Sequence, residues 1–293
     1  MSAPTRRLRA VRAALLAWYD AEHRDFPWRA TRDPYAVLVS EVMLQQTQAS
    51  RVAVRFVRFM ERFPTAEALA DAPPSAVLAE WSGLGYNRRA LALQRAAAIV
   101  ARSGWPRDVP GLEQLPGVGP YTARAIASLA FDEAVGVVDT NVRRWMVRRF
   151  AAPDRPRDLQ SLADALALAG PDRRADAWTH ATMEFGARIC RPRAPRCDVC
   201  PISGGCPSRG AAAHVPVPRQ GRLLGSDRGI RGAILRELSA TEGHAMRAGT
   251  LYAVIAERPG GERWERILAG LERDGLVHRD GDDLRLGAAT IGA

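Results

Sequence analysis

All four cysteines of this 293-residue chain fall within 17 residues, as Cys190, Cys197, Cys200 and Cys206 at spacing C-x6-C-x2-C-x5-C. Four thiols so close together read as one compact loop. No apolar run approaches the roughly 18 residues of a membrane span, and the N-terminus lacks a secretory apolar segment with a cleavage site. The chain therefore reads as cytoplasmic. Disulfides do not persist there, so the thiols predict a metal centre. Zinc modules usually present two short-spaced pairs separated by a longer loop, whereas an iron–sulfur cluster accepts four thiolates from a single loop. The spacing favours a 4Fe-4S cluster and leaves zinc as the alternative. Arg188, Arg191, Arg193 and Arg196 surround the loop and could present charge to a phosphate backbone.

A composition of 47% hydrophobic and 25% charged residues can bury a real core, and the length suits two domains. The formal charge of +10, carried by arginine, points to a polyanionic partner. No basic amphipathic terminal helix suggests a membrane surface.

Apolar spacing predicts helices over about 6–22, 65–72, 74–82, 88–102, 142–150 and 157–169, and a helix from Trp178 to Ile189 that leads into the cysteine loop. Between these, Leu115 to Arg144 reads LPGVGPYTARAIASLAFDEAVGVVDTNVRR. Its short hairpin, Pro116-Gly117-Val118-Gly119, opens a helix. Both glycines are expected to take positive φ and let the backbone approach a partner, with the free N–H groups of the helix start suited to a phosphate. An ordinary capped turn is the bland alternative. In the segment Pro34 to Phe63, Val37, Val42 and Leu44 form a stripe that could carry Glu41 in an apolar setting. Local sequence alone places Glu41 as readily on the solvent side, but a desolvated glutamate would be an acid near neutral pH. Tyr86, an aromatic among basic residues, could stack on bases or cap the core.

The order and spacing of RDFPWR (24–29), PYAVLVSEVMLQQTQ (34–48), WSGLGY (81–86), LPGVGPYTARAIASLA (115–130), VDTNVRR (138–144) and MEFGARIC (183–190) with the cysteine loop resemble the helix-hairpin-helix (HhH-GPD) DNA glycosylases of the endonuclease III superfamily, most closely the MutY type. The resemblance covers about residues 10–210. It implies an all-α fold: a six-helix barrel domain (31–135) facing an iron–sulfur cluster domain (1–30 with 136–210), with the active site in the cleft between them. It also implies a monofunctional enzyme of base excision repair that hydrolyses mispaired adenine from double-stranded DNA. Glu41 would protonate the departing base, Asp139 would stabilise the oxocarbenium-like sugar, and Tyr121 and Asn141 would position these carboxylates. Arg24, Trp28, Arg29 and Glu184 fall where the family lines its base pocket. Gln45 and Tyr86 stand at intercalating positions, while Gly117, Val118, Gly119 and Arg143 would meet the DNA backbone. Relatives that also cut the strand carry a lysine where Tyr121 stands, and no lysine occurs in this motif.

Thr140 and Asn87 depart from the usual pattern, at positions that touch the sugar or the opposite strand. Removal of thymine or uracil opposite guanine is therefore the alternative substrate reading, and a catalytically silent DNA-binding module is a third. The larger departure follows residue 210. Typical members continue into a Nudix-like β domain with a Phe-Ser-His stretch that senses oxidised guanine, and none is present here. Instead a linker (211–225) precedes helices near 228–240, 250–257 and 261–275, and residues 276–286 alternate around Asp280-Gly281 as a hairpin. That order reads as a small winged-helix-like α+β domain (226–293). The acidic hairpin tip argues against a phosphate-gripping wing. The protein is expected to be monomeric and to have no membrane partner.

Overall fold

Thr65, Asp108, Asp139 and Ser226 each cap a helix start through a side-chain oxygen, and Pro34, Pro74, Pro110, Pro120 and Pro156 stand in the first turns of helices, so the chain is cut into helices at sequence-encoded points. The computed structural model describes residues 3–171, 174–210, 221–256 and 258–288. In chain order the helices are α1 Ala3–Glu22, α2 Pro34–Leu44, α3 Ala49–Arg62, α4 Ala66–Ala70, α5 Pro74–Trp81, α6 Arg88–Ser103 and α7 Val109–Glu113. There follow α8 Pro120–Phe131, α9 Thr140–Phe150, α10 Pro156–Ala167, α11 Ala175–Arg188, α12 Asp227–Ala240, α13 Ala248–Val254 and α14 Gly261–Arg273. Three short strands, β1 Ala245–Arg247, β2 Val277–Asp280 and β3 Asp283–Leu286, complete the described residues. No helix among them is long and apolar enough to cross a membrane.

Two compact units emerge. The first takes the residues up to Glu41 and those from Trp105 through the cysteine loop. Here α1 packs on α11 and α10, α9 lies against α11, and α8 sits on α7 and α11. Leu15, Trp145, Met146, Leu166 and Phe185 form the centre of the core, and the Trp145 and Phe185 rings meet edge to face at 5.8 Å. Each such fully buried aromatic side chain contributes about 2–3 kcal/mol through removal of apolar surface from water.

The second unit takes Val42–Gly104 and the C-terminal residues. Within it α4 and α5 pack on α6, and α12 packs on α5 and α14. The C-terminal order helix, strand, helix, helix, strand, strand is that of a winged helix, with antiparallel sheet order β1-β3-β2. The predicted hairpin is in register Val277↔Leu286 and Asp280↔Asp283. Two elements carry too little sequence signal to foresee: α7 has five residues and β1 has three. Of the predicted linker, residues 211–220 lie outside the described residues.

Candidate active site

Glu41 lies in α2, whose sequence PYAVLVSEVML is apolar nearly all round rather than striped. Every residue from Tyr35 to Met43 is buried; Val37 and Val42 are in the core as expected, whereas Leu44 is only half-buried. Glu41 is thereby taken out of water, at 4% exposure. Its carboxyl hydrogen-bonds to the Tyr121 hydroxyl, and Oε2 is buried with no partner. Burial, reinforced by the nearby charge of Asp139, pushes its pKa up from 4.5 to about 7, against the lowering effect of the Tyr121 hydrogen bond.

Asp139 is held quite differently. It caps α9: Oδ1 accepts from the backbone N–H groups of Asn141 at 2.8 Å and Val142 at 2.6 Å, and Oδ2 accepts from Asn141 Nδ2 at 2.7 Å. Burial raises its pKa, while these donors and the charge of Arg144 pull it back. The helix N-terminus stabilises the anion further. Asn141 is fixed in turn by Arg144 Nη2, which donates to Asn141 Oδ1 at 2.9 Å and to the Gly186 carbonyl at 2.6 Å. Gly186 is required here: a Cβ would lie 2.6 Å from the Asn141 carbonyl oxygen. Tyr121, at the start of α8, also lies 3.8 Å from Met183 Sδ.

Glu184, on α11, is as buried as Glu41 but saturated with partners. Arg24 donates from Nε to Oε1 at 2.7 Å and from Nη2 to Oε2 at 2.8 Å, and Arg29 Nη2 donates to Oε2 at 2.9 Å. Burial alone would raise its pKa; the two arginines reverse this and bring it down to about 2. Trp28 is buried and stacks on Phe26 at 4.8 Å, while both arginine heads lie 5.0 Å from the Phe26 ring centre. These four predicted pocket residues thus form one cluster, with Glu184 committed to its ion pairs.

Cys190, Cys197, Cys200 and Cys206 line a single cavity with Trp145, Phe185, Ile189 and Ile202. Burial raises the Cys190 thiol and pushes Cys200 to about 11. Three buried arginines of α9 hold this loop. Arg144 Nε donates to the Cys190 carbonyl at 2.7 Å; Arg148 donates to the carbonyls of Arg191 at 2.7 Å and Pro192 at 3.0 Å, with Nη1 3.7 Å from Cys190 Sγ. Arg149 donates to the Gly204 and Gly205 carbonyls. Sequence reasoning did not single out this trio. The signal available was the recurrence of arginine at positions 144, 148 and 149 of a helix that also carries Trp145 and Met146, since such a face must be buried by something rich in acceptors.

In the hairpin, Gly117 takes positive φ (79°) as expected, but Gly119 does not: its φ of −98° and ψ of −179° are extended backbone open to any residue. Nor would a Cβ at Gly119 meet any atom of the chain within 4 Å. The first turn of α8 lacks a side-chain cap and opens on Pro120, which has no N–H to offer. Val118 is buried, its N–H bonded to the Leu115 carbonyl at 3.0 Å, and Arg143 makes a two-point ion pair with Asp154.

Gln45 and Tyr86 belong to the second unit and sit on neighbouring turns. Arg89, not anticipated, joins them: Nη1 donates to the carbonyls of Val42 and Gln45, both at 2.6 Å, and Nη2 to that of Gly85 at 3.0 Å. Tyr86 is 39% exposed, which removes it from the core.

Residues 39–169 match the HhH-GPD superfamily of base excision DNA repair proteins. An adenine DNA glycosylase of Mycolicibacterium smegmatis is 42% identical over 275 residues, 92% of each chain. Another, of Mycobacterium tuberculosis, is 41% identical and covers 92% of this chain and 90% of its own. The human adenine DNA glycosylase is 42% identical over 74% of this chain and 42% of its own length. A thermostable thymine-DNA glycosylase superposes with TM-score 0.65 at 30% identity, over 71% of this chain and 99% of its own. A trapped endonuclease III–DNA covalent intermediate is alike in fold, with TM-score 0.59 at 22% identity over 72% of this chain and 98% of its own. By sequence likeness over nearly its whole length, the chain belongs to the HhH-GPD superfamily of base excision DNA repair proteins.

Proposed function

We propose that the protein is a monofunctional adenine DNA glycosylase that removes adenine mispaired with guanine or oxidised guanine and leaves an abasic site. The observation that carries this reading is the contrast between the two carboxyls: Glu41 is buried, half-partnered and titrates near 7, while Asp139 accepts three hydrogen bonds at a helix N-terminus. Such pairs divide acid and anion roles between them. Protonated Glu41 donates to N7 of the extruded adenine. The bond from the sugar C1′ to N9 breaks, its electron pair leaves with the purine, and ionised Asp139 stabilises the oxocarbenium-like sugar. Water adds at C1′ and returns a proton to the Glu41 carboxylate. Tyr121 and Asn141 position the two carboxyls, and Arg24, Trp28, Arg29 and Glu184 shape the base pocket. The sequence contains no lysine at all, so no ε-amine is available to form a Schiff base with the sugar.

Duplex DNA meets the Gly117–Gly119 hairpin and the open start of α8. The exposed Arg191, Arg193 and Arg196 add counterion-displacing charge, so binding weakens steeply with salt. The predicted boundaries of barrel, cluster and winged-helix-like domains, a monomeric state and a cytoplasmic location belong to the same reading.

The cysteine loop fits a 4Fe-4S cluster. The four thiols line one shared cavity, which supports that reading. Arg148 beside Cys190 Sγ offsets thiolate charge. When bound, the cluster cross-links the loop and supplies iron whose potential its surroundings set. The chain's own part is to hold the loop through Arg144, Arg148 and Arg149.

The test is single-turnover base release on duplexes carrying A opposite oxidised guanine, A opposite guanine, T opposite guanine and U opposite guanine. Release confined to the two adenine duplexes is expected. Release of thymine or uracil would overturn the adenine assignment, because a pyrimidine offers no N7 to Glu41.

A further inference from the structure

The C-terminal domain is not a loosely tethered appendage within its unit. Gly287 approaches α5 so closely that a Cβ there would lie 3.1 Å from the Ser75 nitrogen, and Asp274 takes ion pairs from Arg231 and, at 3.7 Å, from Arg88 beside the Tyr86 turn. Tyr86 itself stands in left-handed backbone, φ 50°, which an aromatic residue keeps only when its surroundings enforce it. Two guanidinium groups do so. Arg89 lies 5.5 Å from the ring centre while bonded to the Gly85 and Gln45 carbonyls. Arg228, in the first turn of α12, lies 5.9 Å from the ring, and its Nη1 donates to the Tyr86 hydroxyl at 3.0 Å. Arg228 is itself held, Nη2 donating to the Gly221 carbonyl at 3.0 Å. The start of α12 is fixed by the Ser226 cap and by an Asp227–Arg263 ion pair at 2.8 Å.

We infer that the C-terminal domain is a positioning element for the DNA-distorting turn, with Arg228 holding Tyr86 in the pose in which its ring enters the base stack. The inference rests on the reading of Tyr86 as that wedge. A Tyr86 ring inserted between bases brings the Arg228 guanidinium beside the phosphates of the strand it enters, so one side chain both aims the wedge and contributes charge to the duplex. This gives the domain a role that the acidic hairpin tip, with Asp280 engaged by Arg285 at 2.9 Å, does not supply.

The experiment uses the full chain and a duplex with adenine opposite oxidised guanine, with 2-aminopurine next to the target adenine as a reporter of unstacking. Arg228→Ala should slow unstacking and weaken duplex binding about threefold to tenfold, the range of a cation–π contact at a partly exposed site with its hydrogen bond. Base release should slow no more than unstacking does, and the melting temperature should stay close to wild type, a split that general destabilisation would not produce. Tyr86→Phe, which keeps the ring and removes the acceptor, should reproduce part of the loss. In a Tyr86→Ala background Arg228→Ala should add less than twofold. Wild-type unstacking in Arg228→Ala, or an undiminished effect in the Tyr86→Ala background, would overturn the inference. Wild-type unstacking in Tyr86→Ala alone would remove the wedge reading as well. Failure of the adenine assignment would show separately, as no base release from this duplex by the wild-type enzyme.

Discussion

Glu41 and Glu184 are two glutamates of one unit, almost equally buried, at 4% and 1% exposure, yet the first is lifted to about 7 and the second lowered to about 2. Burial penalises both anions. What separates them is the company: one hydroxyl and an orphaned oxygen at Glu41, two arginines making three hydrogen bonds at Glu184. The lesson is that depth alone does not make a carboxyl chemical; withheld partners do. At neutral pH the first is a proton store that costs stability, and the second a structural anion that contributes it.

Exchanging roles between the two is the most severe test. Glu41→Gln should lose about a thousandfold or more in single-turnover base release, the scale of a positioned general acid, while retaining duplex binding. Product formation at the wild-type rate would remove Glu41 as the general acid. Glu184→Gln strips Arg24 and Arg29 of their counter-charge, and should cost about 3 kcal/mol at neutral pH by denaturant unfolding, in line with a drop from 4.5 to about 2 at 1.36 kcal/mol per unit. That stability is present above pH 4.5 and disappears as pH falls through 2, so variant and wild type should converge in acid. A constant difference across this window would mean that Glu184 is not the anion of the cluster.

Smaller effects sharpen the same contrast. Because the Glu41 pKa is raised, its contribution is fully present below pH 4.5 and lost as pH rises through 7. Glu41→Gln should therefore melt a few degrees above wild type at pH 8 and level with it at pH 4.5. Wild-type base release should fall as pH rises through about 7, when Glu41 loses the proton it must donate. The subtlest change is Tyr121→Phe. The Tyr121 hydrogen bond lowers the Glu41 pKa, so its removal should move that alkaline limb to higher pH. Movement to lower pH would place the hydroxyl on the neutral carboxyl instead.

Much of the scaffold is legible because its signals are local. Apolar spacing located α5, α6, α10 and α12 to within a residue or two, and the alternation about Asp280-Gly281 located β2 and β3. The proline and glycines of the hairpin marked the start of α8, although Gly119 adopts backbone that does not need glycine. The motifs also named the residues that the fold gathers: Glu41, Tyr121, Asp139 and Asn141 in one place, and Arg24, Arg29 and Glu184 in another. Their electrostatic state was not legible. Nothing beside Glu184 in sequence announces two arginines 155 and 160 residues away, and nothing beside Tyr86 announces Arg228, 142 residues on.

By itself, then, the sequence determined where helices start, which loop carries four thiols and which side chains are available for proton transfer, because caps, turn residues and periodicity act over a few positions. Tertiary structure decided which carboxyl is left short of donors, which arginines hold the cysteine loop, and which guanidinium pins Tyr86. Desolvation and charge pairing depend on what the rest of the chain brings into contact, and that is not encoded in any short stretch.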